Sequence, residues 1–111
     1  MKFQIERELF LGPLSVVTSV VERRQTLPIL ANVLISIQDK RLTLVGTDLE
    51  VEISIETEVL SGEDGQCTVT ARKLLDICRA LPETATIDFT GENDKGKLKS
   101  GRSRFSLQAL P

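Results

Sequence analysis

Arg72, Asp76 and Arg79 are spaced four and three residues apart in a segment, Ala71–Leu81, whose apolar residues recur at helical intervals. At about 100° per residue they fall within about 60° of one another, opposite a stripe of Leu74, Ile77, Cys78 and Leu81, with Lys73 on the flank. A planar guanidinium grips two phosphate oxygens at once, so such a face can hold a polyanion by its backbone without reading its sequence. Arg72 and Lys73 fall in the first turn, where the helix dipole disfavours cations by about 0.3–1 kcal/mol each. A helix with a purely structural task would carry acids there. A simpler reading uses the same residues: a solvated face on which Asp76 pairs with an arginine one turn away. The residue pattern alone leaves both open.

Two further groups of cations bear on the choice. Arg23 and Arg24 follow a first helical pattern and open a loop braced by Pro28. Cations there suit the negative end of a helix dipole, but two adjacent arginines would also give a polyanion a second point of contact. The chain has no Trp or Tyr, and no Phe accompanies either site, so stacking on single-stranded bases is not expected. Near the carboxyl end, Lys95, Lys97, Lys99, Arg102 and Arg104 are followed by no acid. Nine basic residues therefore meet all 16 acids within residues 1–94, and a net charge of −2 divides into a body of −7 and a tail of +5. Lysines protect an edge strand from aggregation, and segregated charge also suits a partner of opposite sign.

Most catalytic chemistry lacks its residues. There is no His, and Cys67 and Cys78 are too far apart in sequence to form a CxxC unit; free thiols, no metal site and no cofactor are expected. Glu50, Glu52, Glu56 and Glu58 alternate as a solvent-facing strand edge does, and Asp48 beside them offers no nucleophile, so an enzyme is not expected. Gly62 and Gly65, within Ser-Gly-Glu-Asp-Gly, fit a turn better than a phosphate cradle, because the adjoining acids would repel an anion. The apolar run Leu14–Val21 contains Ser15, Thr18 and Ser19 and follows Pro13, which makes it neither leader nor membrane span; the expected location is the cytoplasm.

The elements that would position these residues can be read from periodicity. Residues 2–6 alternate as a strand, and from Arg7 the spacing turns helical, with Phe10, Leu14, Val17 and Val21 on one stripe. Pro13 predicts either a kink or a helix whose regular part begins there. Alternating stretches follow at about 32–38, 41–47 and 49–59. The order then recurs: a strand at 66–70, Thr70 as a cap for the helix 71–81, Pro82 as its stop, and strands at 86–90, 95–100 and 104–109. The pattern predicts one α+β domain over 1–111, made of two β-α-β-β-β pseudo-repeats at about 1–59 and 66–111, with two helices packed on antiparallel sheets.

Four segments carry a resemblance beyond pattern: Thr26-Leu27-Pro28-Ile29-Leu30-Ala31-Asn32, Gly46-Thr47-Asp48-Leu49-Glu50, Ala71 through Pro82, and Ser100-Gly101-Arg102-Ser103-Arg104-Phe105-Ser106-Leu107. In this order they resemble the first domain of the bacterial sliding-clamp family, the β subunits of DNA polymerase III. The resemblance implies a non-enzymatic processivity factor: three domains per subunit, two subunits joined head to tail around duplex DNA, and a polymerase and a clamp loader as further partners. It implies that Arg24, Arg72 and Arg79 face DNA phosphates. It further implies that Phe105 and Leu107 are apolar contacts with a second subunit, and that Lys73, Lys95, Arg102 and Arg104 pair with its acids. The chain stops where the family's first domain stops, so the later domains and the peptide pocket they carry are expected to be absent. The rival is an edge-strand protein-interaction module that never meets nucleic acid.

Overall fold

Phe3 and Ile5 alternate with Lys2, Gln4 and Glu6, and in the computed structural model, which describes residues 1–22, 31–48, 50–92 and 94–110, they point into the core from strand β1 (Lys2–Glu6). The chain passes without a loop into α1 (Arg7–Val21), which buries Phe10, Leu14, Val17, Thr18, Val20 and Val21. Pro13 lies inside this helix and cannot donate to the carbonyl of Leu9. The hydroxyl of Thr57 donates to that carbonyl instead, at 3.3 Å, so the helix runs through the proline from Arg7.

Strands β2 (Asn32–Gln38), β3 (Arg41–Thr47) and β4 (Glu52–Glu58) follow. Asp39 and Lys40, both at positive φ, make the tight turn between the first two, where the left-handed backbone matches the strand twist. The stretch expected at 49–59 is shorter as a strand, because the buried carboxylate of Asp48 accepts the amides of Glu50 at 2.9 Å and Val51 at 2.7 Å and bends the chain. Asp48 thus builds a turn. Ser61–Glu63, read from sequence as part of a turn, forms the short strand β5, which pairs with β1 through Phe3 opposite Gly62.

The second run comprises β6 (Gly65–Thr70), α2 (Ala71–Ala80), β7 (Thr86–Glu92), β8 (Lys95–Ser100) and β9 (Ser103–Leu110). Thr70 stands at the N-cap of α2 but makes no side-chain capping bond, since it is still the last ladder residue of β6, opposite Asn32. Leu75, absent from the expected stripe, is buried with Leu74 and Cys78, while Ile77 is half-buried.

All pairings are antiparallel, and the sheet order is β4-β3-β2-β6-β9-β8-β7-β1-β5. The strands that lead into the helices are exchanged: β1 pairs with β7, and β6 pairs with β2. Each half of the sheet therefore needs a strand from the other half of the chain. One continuous core joins them, with Phe3 stacked on Phe89 and edge-on to Phe10. Close approach of α1 to β3 requires Gly46, where a Cβ would come within 2.5 Å of Val21 Cγ1 and 2.8 Å of Val17 Cγ1.

Cys67 and Cys78 are free and buried. Burial pushes the Cys67 thiol up to about 11 and that of Cys78 to about 12, so neither is a thiolate at neutral pH.

Candidate nucleic-acid face and edge strand

Amphipathic spacing places α1 and α2 on the same core and leaves one stripe of each outside. The helices lie antiparallel, tied at both ends by arginines. Arg7, the first residue of α1, donates through Nε to the carbonyl of Cys78 near the end of α2 at 2.8 Å, and its amide donates to Ala85 at 2.9 Å. At the opposite end, Arg72 in the first turn of α2 donates through Nε to Glu22 at 3.0 Å, and through Nη2 to the other Glu22 oxygen. Glu22 is the residue that caps α1. Arg72 Nη1 also meets Asp76 at 3.6 Å, the one-turn pairing that the sequence allowed.

The two exposed stripes differ sharply. On α1 it consists of Glu8, Leu9, Gly12, Val16 and Ser19, a nearly uncharged surface. On α2 it consists of Arg72, Lys73, Asp76, Arg79 and Ala80. Among the described residues, Lys73 and Arg79 have no acid within ion-pair distance. Arg79, in the last turn, also sits favourably at the negative end of the helix dipole. Cations presented this way can meet a row of phosphates. Arg24, with Arg23 and Pro28, lies outside the described residues.

Sequence reasoning passed over Glu22, which takes two of the three guanidinium nitrogens of Arg72. Its position gave no signal, since 50 residues separate the partners. The hydrogen bond from Arg72 holds the Glu22 carboxyl below its ordinary value, with the guanidinium charge adding to this and partial burial opposing it. A lowered pKa stabilises the fold fully above the unfolded value of about 4.3, and this contribution disappears as pH falls through the folded value. Glu22→Gln is therefore expected to flatten the acid limb of stability below about pH 4.3. Urea midpoints measured against pH check this, and identical acid limbs for chain and variant would refute it.

The basic tail occupies β8, β9 and the turn between them. Lys95, Lys97 and Lys99 alternate outward on β8, Arg102 lies in the turn with Gly101, and Arg104 stands directly opposite Lys99. Like charges opposed across a ladder repel. A shallow hollow of about 610 Å³ on this outer face gathers Lys2, Lys97, Lys99 and Arg104 around Asp88. Lys73 lies on α2, away from these strand cations in sequence and on another element.

β9 pairs with β8 along one edge, but along the other it meets β6 only at Ala109 and Leu110. Among the described residues no strand pairs with that second edge from Ser103 to Gln108, so its backbone groups remain open to another chain. Phe105 is half-buried beside this edge, whereas Leu107 is only 7% exposed and belongs to the domain's own core. Among the described residues, no three metal-ligating side chains converge, and no helix is long and apolar enough to cross a membrane.

Residues 1–111 match the family described as DNA polymerase III beta subunit, N-terminal domain. Over its whole length the chain is 52% identical to the beta sliding clamp of Pseudomonas putida and 48% identical to that of Escherichia coli, spanning 30% and 31% of those proteins. It also superposes along its whole length on the crystal structure of a sliding clamp from Pseudomonas aeruginosa bound to griselimycin, with a TM-score of 0.94 and 51% identity, covering 30% of that chain. Caulobacter crescentus pol III beta gives a TM-score of 0.93 at 42% identity.

Proposed function

The chain belongs to the family of DNA polymerase III beta subunit N-terminal domains, and from that premise we propose that it serves as the first domain of a DNA sliding clamp. It spans about 30% of the length of the relatives, so the ring, its DNA and its protein partners are assigned to the longer protein that carries this domain. In that protein, two subunits join head to tail around duplex DNA in the cytoplasm, and the ring tethers a polymerase after a loader has placed it. The domain performs no chemistry. Its task is to present cations to the duplex and an open strand edge to the second subunit.

The observation that carries this reading is the exposed stripe of α2, where Lys73 and Arg79 have no acidic partner among the described residues, beside the nearly uncharged stripe of α1. Contact with phosphates alone permits sliding, because every base pair offers the same backbone. The open edge of β9 supports a heterologous contact, in which the complementary surface belongs to a different domain of the second subunit. Arg104 on β9 and Arg102 in the turn before it supply cations for acids on the partner, with Lys95 contributing from β8 and Lys73 from α2.

The rival, an interaction module without nucleic acid, draws support from one fact: Arg72 is already engaged by Glu22 and Asp76. Replacing Arg24, Arg72 and Arg79 by Ala in the ring-forming protein separates the two. The clamp reading expects weaker duplex binding for all sequences alike, and a log–log salt dependence flattened by about one unit per lost phosphate contact. Undiminished binding across a salt titration would favour the rival.

A further inference from the structure

We propose that Glu22 is an internal substitute for a DNA phosphate: it occupies the guanidinium fork of Arg72 in the free domain and yields it to the duplex, thereby setting how tightly this domain holds DNA. The inference rests on the clamp reading. Its basis is the way the fork is filled. Both Glu22 oxygens accept from one guanidinium edge, Nε and Nη2, which is the bidentate arrangement that two phosphate oxygens would adopt. Asp76 lies 3.6 Å from the remaining nitrogen. A phosphate reaching Arg72 must therefore displace a carboxylate, whereas one reaching Lys73 or Arg79 displaces none found among the described residues.

Helix polarity adds to the argument. Glu22 caps the carboxyl end of α1, where the dipole disfavours an anion, and no basic residue lies in the last turn of that helix. Arg72 begins α2, where the dipole disfavours a cation. Each charge is thus misplaced on its own helix, and each is compensated by the other across the antiparallel pair. Such an exchange also needs access. The Arg72 side chain is 44% exposed and that of Glu22 23%, so a phosphate can approach the pair from solvent. Glu22 is a carboxylate at neutral pH, as any glutamate of ordinary or lowered pKa is, and so remains a competitor.

The test is a titration of the chain with a short mixed-sequence duplex, followed by NMR and by fluorescence anisotropy over a range of salt concentrations. Glu22→Gln is expected to tighten binding about two- to fivefold, the scale of one exposed ion pair, and to steepen the log–log salt slope by about one. In an Arg72→Ala background, the same change should have little effect. The Arg72 Nε–H resonance of the unaltered chain should shift as duplex is added. Equal tightening in both backgrounds would show that Glu22 acts only as a negative charge near DNA, and no tightening would show that it does not compete; either result overturns the proposal. Arg79→Ala, which leaves the pair untouched, tests the underlying reading separately. If the duplex binds and Arg79→Ala weakens it while Glu22→Gln does nothing, the exchange alone fails. If the unaltered chain shows no salt-dependent binding, the exchange fails, while the clamp reading stands or falls on the triple variant of the ring-forming protein. Circular dichroism of each variant establishes that the fold is retained.

Discussion

Phe89→Ala is expected to lower the unfolding free energy of the chain by about 3–5 kcal/mol, the usual cost of removing a buried aromatic ring. Phe89 is fully buried and stacks on Phe3 with ring centroids 5.2 Å apart, while Phe3 meets Phe10 edge-on at 5.9 Å. These three rings join β7, β1 and α1. Phe89 also covers the backbone at Gly96, where its Cζ stands 2.9 Å from the position of a Cβ. Removing it opens a cavity at the point where the first strand of the chain enters the later half of the sheet. Against a total of about 5–15 kcal/mol for a domain of this size, the loss leaves a marginal fold. Urea unfolding followed by circular dichroism measures it, and a loss below about 1 kcal/mol would mean that the aromatic cluster does not hold the two halves together.

Leu107→Ala should cost about 2–4 kcal/mol of fold stability, and Phe105→Ala clearly less. Both were candidates for a subunit contact, and alternation along β9 puts both on one face. Burial separates them. Leu107 sits opposite Gly96 in the ladder and is part of the domain core. Phe105 ends a row running Phe3, Phe89, Leu98, Phe105 across four strands, and there it remains half-buried beside the open edge of β9. In the ring-forming protein, Phe105→Ala is therefore the cleaner probe of the joint. It should shift sedimentation toward single subunits, since an apolar anchor at an interface is worth about 1–3 kcal/mol, while the domain stays folded. A variant that sediments as an undiminished ring would place the subunit contact elsewhere. A Leu107→Ala chain with an unchanged urea midpoint would contradict the core position assigned to that residue.

Among the described residues, the local pattern of the sequence was sufficient for both helices and for nearly every strand. Period-two alternation marked residues 2–6 and 32–38, the stripe of Phe10, Leu14, Val17 and Val21 marked α1, and both helices end close to where spacing and Pro82 placed their limits. Side-chain periodicity is a property of consecutive residues, so it can be read without knowing what lies opposite. β5 escaped because three residues are too few to show a period, and because it is a strand only by virtue of β1 beside it. Thr70 was wrongly expected to cap α2 for a related reason: its place in the β6 ladder depends on Asn32, which is remote in sequence.

The candidate site divides along the same line. That Arg72 and Arg79 share an exposed helix face follows from 3.6 residues per turn, and is present in the sequence. That Arg72 is held by Glu22, that β1 and β6 change places between the two halves of the sheet, and that Leu107 turns inward while Phe105 borders an open edge, was decided only by tertiary structure. Each of these facts concerns which distant residues become neighbours. Such neighbours are selected by the shape of the whole core and by the antiparallel packing of two helices, and no spacing along the chain encodes them.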